Sequence, residues 1–134
     1  MLAPVAQLSA EHAVLLAVAY LMVKHALADF LLQSARQRIE KGIYGKLGGF
    51  THALTHSVLT APVFVLLPTL GPTIVLALLI AEFVIHYHID WAKEQVVRQR
   101  GWTSKDTAFW WAFGIDQMLH GLTYVALLWV AYPA

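Results

Sequence analysis

The chain has no cysteine among its 134 residues. Disulfides, thiolate zinc sites and cysteine nucleophiles are thereby excluded, and any metal must be held by nitrogen and oxygen. Charge is also scarce: Asp, Glu, Lys and Arg make up 13% of the residues, against about a quarter in an ordinary soluble domain. So few charges cannot cover a water-facing surface, and an apolar share of 59% calls for lipid as the solvent. The net charge of +1 is uninformative about nucleic acid, and with no basic patch carrying interleaved aromatics and no glycine-rich phosphate loop, no nucleic-acid partner is expected. The first ten residues hold no lysine or arginine. They lack the charged start of a cleaved signal peptide and read as mature sequence.

What is present is a series of apolar runs broken by two basic stretches. The first run spans Glu11 to Gln33, with Ser9 as an N-cap. Ser34 to Gly49 holds Arg36, Arg38, Lys41 and Lys46 among four glycines and reads as a loop. Val58 to Ala81 runs 24 residues without a charge, yet Pro62, Pro68, Gly71 and Pro72 fall inside it. Breakers that dense predict two helices turning near Leu70 and Gly71 rather than one long span. The expectation is an all-α integral membrane four-helix bundle in one domain, 1–134, with helices at about 11–33, 50–69, 72–97 and 106–132.

Four of the nine basic residues lie in the first basic stretch and four between Lys93 and Lys105, while the ends and the central hairpin hold none. Cytoplasmic loops retain lysine and arginine, so both termini are expected outside and both basic stretches inside. Trp110 and Trp111 at one end of the last helix, and Trp129 and Tyr132 at the other, lie about 19 residues apart. At ~1.5 Å per residue that is close to the ~30 Å of bilayer hydrocarbon.

Each expected helix carries ligand-type residues four positions apart, a spacing that puts both on one face: His25 and Asp29, His52 and His56, His86 and Asp90, Asp116 and His120. Counted from the outer helix ends at ~1.5 Å per residue, all four pairs fall roughly 18 to 29 Å down, in one layer near the cytoplasmic face. Ionisable groups scattered over lipid-facing surface would cost on the order of 3 kcal/mol each at mid-span, so they are expected to face one another. Five imidazoles and three carboxylates would suit one or two divalent ions, with Glu82 one turn from His86 as a further candidate. Zinc is the first candidate, ahead of manganese, iron and nickel. The competing readings are a proton or ion path and a purely structural polar network. His88 points to another face, and His12 is a solvated outer residue. Lys24 is expected to snorkel, Lys93 to anchor topology at the level of lipid phosphate, and Glu94 to be solvated.

The runs from Lys24 to Gln33, from Glu82 to Lys93 and from Asp116 to His120 resemble an uncharacterised family of small bacterial and phage-borne multi-pass membrane proteins, a domain of unknown function. The resemblance covers nearly the whole chain, implies the bacterial inner membrane, and brings no assigned activity. More distantly, Thr55-His56-Ser57 and the His86-to-Asp90 stripe are similar to elements of the inner-membrane metal-dependent hydrolases. That family's early Asp-x-Asp-His run is missing here, unless His25 and Asp29 substitute for it.

The resulting expectation is a metal-dependent membrane hydrolase acting on a phosphoester or related bond of a lipid or small amphiphile at the cytoplasmic leaflet. His25, Asp29, His52, His56, His86, Asp90, Asp116 and His120 would be the ligands, and Glu82 the general base or a bridging ligand. The rivals are a divalent-metal or proton transporter, and a non-catalytic subunit stapled by a structural metal. Between Val58 and Ile80 there is no ionisable side chain, so a polar path to the outer face is not apparent and transport ranks second. Four short helices leave room for a homo-oligomer, although no small-xxx-small stripe selects a face.

Overall fold

The computed structural model describes residues 9–65 and 70–132. These are all-α: 85% of them are helical, and none forms a strand. Helix α1 covers Ala10–Leu27 and passes directly into a π-helical turn, Ala28–Leu32. A short α2, Ala35–Glu40, precedes α3, Leu47–Val65. Helices α4, Pro72–Arg100, and α5, Thr107–Ala131, complete the chain. Two stretches, Ala10–Leu32 and Pro72–Arg100, are long and apolar enough to cross a membrane. The expected ends at Pro68 and Thr69, and the first eight residues, lie outside the described residues.

The ends of these helices follow from local chemistry. Ser9 caps α1 by accepting the His12 backbone N–H, a donor the helix itself leaves unpaired. Gly71 precedes Pro72, whose fixed φ and missing N–H suit the first helical position of α4. Gly101, at φ +65°, closes α4 in the left-handed conformation that glycine reaches without a Cβ clash.

The basic stretch expected as a loop contains α2. Ser34 accepts the Gln37 backbone N–H while the Gln37 side chain accepts the Ser34 N–H, a reciprocal capping box. Glu40 then accepts the Gly48 N–H at 2.6 Å, tying α2 to the start of α3. A side chain at Gly48 would meet Glu40 Cβ at 2.7 Å, which is why glycine stands there. From α4, Arg98 donates to Ile39 O and Gln95 to Gly42 O, fastening the α2–α3 connection.

Polarity is inverted relative to a soluble bundle. The hairpin half has an apolar core that includes Leu21, Phe64, Leu78, Tyr124 and Leu127. The other half buries histidines and aspartates, while leucines, valines and tryptophans such as Leu31, Val58 and Trp129 face outward. Exposed apolar surface on this scale marks contact with something other than water.

Candidate metal centre

The site grows from four helical stripes. His25 and Asp29 lie at the junction of α1 and the π-turn, His52 and His56 on α3, His86 and Asp90 on α4, and Asp116 and His120 on α5. The structure brings all eight side chains together. Seven are buried, and Asp29 is half-buried at the edge.

Three sets of these residues offer ligand atoms lying within 4.8 Å of one another: Asp29, His52, His56 and His86; His25, His86 and His120; and Asp90, Asp116 and His120. His86 is the hub. Its ring centroid lies 3.9 Å from that of His56, 4.2 Å from His120, 5.2 Å from His52 and 5.8 Å from His25. Asp29 Oδ1 approaches His56 Nε2 at 3.0 Å and His52 Nε2 at 3.3 Å. Asp90 bridges the other side, with Oδ2 at 3.1 Å from His52 Nε2 and Oδ1 at 3.4 Å from His120 Nε2.

The donor set fits a cation on two grounds. Buried polar atoms nearly always find a partner, because an unpaired one loses its hydration for nothing. Here His25 Nε2, His56 Nδ1, His86 Nε2, His120 Nε2, Asp116 Oδ1 and both Asp90 oxygens are buried without a well-aligned hydrogen bond among the described residues, and all but His56 Nδ1 face an imidazole or carboxylate at 3.1–3.6 Å. The charge points the same way: of the three carboxylates, only Asp90 has a lysine or arginine within 4 Å among the described residues, Lys41 at 3.6 Å. Nitrogen and oxygen donors in this number suit zinc, manganese, iron or nickel.

Around the ligands sits a shell that orients them. Tyr124 Oη lies 2.9 Å from His25 Nδ1. Gln117 Nε2 donates to Asp116 at 3.1 Å and to Asp29 at 3.3 Å, holding two carboxylates on one amide. Gln33 Nε2 reaches the His52 ring at 3.2 Å. Sequence reasoning passed over Tyr124, yet it continues the Asp116–His120 stripe at the same four-residue spacing.

Glu82 is not one of the grouped ligands. It lies one turn closer to the hairpin, where Oε1 accepts from Lys24 Nζ at 2.8 Å and from Thr60 Oγ1 at 2.8 Å, leaving Oε2 buried and unpartnered. The expectation that Lys24 snorkels is corrected: it is 4% exposed. Its Nζ also donates to His56 O at 3.0 Å and lies 4.7 Å from the Tyr124 ring centre. A carboxylate and a carbonyl inside the bundle satisfy the ammonium better than a route along lipid. Glu94, expected to be free in solvent, pairs with Lys93 at 2.5 Å. His88 is exposed, its Nδ1 donating to Val84 O at 2.7 Å. His12 is exposed beside Ser9.

On the side away from the hairpin, a pocket of about 310 Å³ reaches the cage. Asp29 and Asp116 line it from the cage, together with Arg38, Lys41, Lys93 and the Glu94 that pairs with Lys93. The cage ligands thus share a pocket with three basic side chains and one acidic one.

The chain belongs to the family described as protein of unknown function (DUF3307), whose model matches residues 17–133. Neither a curated protein nor a solved structure matches it.

Proposed function

We propose that this protein is a metal-dependent hydrolase of the bacterial inner membrane, cleaving a phosphoester of a lipid or related amphiphile at the cytoplasmic leaflet. The observation that carries the reading is the cage of eight converging ligands, opening into a pocket lined by Arg38, Lys41 and Lys93 as well as Glu94. All four long helices cross the bilayer in this reading, with both termini outside. The outward apolar side chains on every helix support it, as does the inward, charge-bearing core.

A divalent ion held by this donor set, zinc first, supplies Lewis acidity and a water of lowered pKa. The chain's own residues do the rest. Arg38, Lys41 and Lys93 hold the phosphate at the pocket mouth, guanidinium and ammonium donors being suited to its oxygens. Asp29 and Asp116 touch both cage and pocket, so they are the carboxylates placed to take the proton of the attacking water. The water oxygen joins phosphorus, the ester P–O bond breaks, and the alcohol leaves with the proton returned by that carboxylate. Gln117 holds the two aspartates in register. Glu82, with Oε1 committed to Lys24 and Thr60, keeps the cage's hairpin side electrically balanced rather than serving as the base.

The apolar core on the hairpin side favours hydrolysis over transport, since a transported ion would have to pass Leu21, Phe64 and Leu127. The test begins with elemental analysis of detergent-purified protein. At least one equivalent of a divalent metal is expected, with phosphate release from vesicle-borne phosphatidic acid that falls at least tenfold in His56→Ala. Metal-free protein with no activity in any reconstituted metal would overturn the reading. Retained metal without hydrolysis, with unfolding on chelation, would instead favour the structural-subunit alternative.

A further inference from the structure

A second cavity, of about 590 Å³, lies along the outside of α4 and α5. Its walls are almost wholly apolar, formed by residues such as Val84, Ile89, Val96, Ile115 and Leu119. Three of its lining residues are not apolar, His88, Lys93 and Asp116, and the last two also line the polar pocket beneath the cage. An apolar groove open to the outside therefore meets the polar pocket and a cage carboxylate at one point.

A comparable groove between α3 and α4, about 370 Å³ and lined by residues such as Phe50, Leu54, Val58 and Ile80, has no charged residue along it. The difference separates ordinary lipid contact from a surface with chemistry at one end. Length fits as well. From Val84 to Val96 is twelve residues of helix, ~18 Å, against about 15 Å for the hydrocarbon half of one leaflet.

We infer that the α4–α5 groove holds one acyl chain of a phospholipid that enters sideways from the cytoplasmic leaflet, its phosphate turned through the gap at Lys93 into the polar pocket. This rests on the reading of the protein as a membrane phosphoester hydrolase and names its substrate class: an acylated, anionic phosphate rather than a water-soluble one. The chain lies from Val96 toward Val84, with its end near the bilayer midplane. Lys93 sits where headgroup and chain part, and exchanges its Glu94 carboxylate for the phosphate of a negatively charged headgroup. Only one chain fits the groove; the other remains in bulk lipid.

The experiment uses the full-length protein in phosphatidylcholine vesicles containing phosphatidic acid with a diazirine near the end of one acyl chain. Adducts are mapped by mass spectrometry after irradiation. They are expected to concentrate at least fivefold on Val84, Ile85, Ile89 and Leu119 over Leu54, Val58 and Ile80. A phosphatidylcholine probe with the same diazirine should show no such concentration, and Lys93→Gln should bring the phosphatidic acid pattern down to it. Ala92→Trp, which fills the groove, should abolish the concentration, while Val58→Trp on the other groove should not. Adducts spread evenly over all outward faces, or equal for both probes, would overturn the inference; the unmodified protein's map decides this even if a variant does not fold. Concentrated adducts without phosphate release would leave the groove standing and remove the hydrolase. Phosphate release with scattered adducts would do the reverse.

Discussion

Replacing Glu82 by Gln tests the interior of the bundle without touching a proposed metal ligand. Lys24 and Glu82 are 4% and 1% exposed, and Nζ–Oε1 is 2.8 Å. Removing one member of a buried pair strands the other charge, at a typical cost of about 3–5 kcal/mol. Glu82→Gln keeps an amide oxygen that accepts from Lys24 but removes the negative charge, leaving the buried ammonium uncompensated beside that oxygen and the His56 carbonyl. Lys24→Met leaves the Glu82 carboxylate with the Thr60 hydroxyl. Each single variant should therefore lose about 3–5 kcal/mol. For a chain of this size that is a fall in Tm of roughly 10–20 °C. The double variant removes both charges together and should be less destabilised than the two losses added, with a coupling of about 3 kcal/mol. The assay is denaturant or thermal unfolding in detergent, followed by far-UV circular dichroism across the four-member cycle. Single losses below about 1 kcal/mol that add without coupling would show the pair is water-screened, as exposed pairs are. The account of a closed, dry hairpin half would then be wrong.

Three further outcomes follow from the same geometry. Asp90→Asn keeps the shape of a side chain that touches three imidazoles but removes its charge; metal affinity measured by competition with a chelator should fall at least ~10–100-fold, and an unchanged affinity would remove Asp90 from the centre. Because the chain has no cysteine, single cysteines at Gln37, Gly71 and Ser104 report topology without background. An impermeant maleimide applied to intact cells should label position 71 and leave 37 and 104 unlabelled until the cells are opened, and the opposite pattern would invert the orientation. Glu40, on the short α2 outside the long apolar helices, accepts the Gly48 N–H, which holds its carboxyl below the ordinary value of 4.5, with Arg36 adding to the effect. The stability this gives is complete above the ordinary value and disappears as pH falls through the lowered one. A carboxyl-carbon NMR titration with its midpoint at or above the ordinary value would refute the contact.

Much of the site could be read from spacing, because an α-helix turns a four-residue interval into a shared face. His52–His56 and Asp116–His120 show this most plainly, and the same stripes continue to Thr60 and Tyr124. What spacing cannot give is the partner of a residue distant in sequence. Spacing sends Lys24 toward the lipid interface because its acceptor is 58 residues away on another helix. Around α2, glycine and charge point to a loop, while the capping signal Ser34-x-x-Gln37 points to the helix that forms. The π-turn at Ala28–Leu32 has no sequence signature at all. Nor could sequence show the α4–α5 groove, which depends on how two helices lean on each other, a matter of side-chain volume rather than pattern.

Helix α4 runs 29 residues without an internal proline or glycine, carrying Glu82, His86 and Asp90 inside the bundle and Gln95 and Arg98 out to the α2–α3 connection. It behaves as a stiff post. Bending belongs elsewhere: α5 contains Gly114 and Gly121, each with open space around it, and the end of α1 is already wound wider than an ordinary helix. The ligands borne by α4 are thus seated on the straightest element of the bundle, and those of α5 and of the end of α1 on the elements with room to bend.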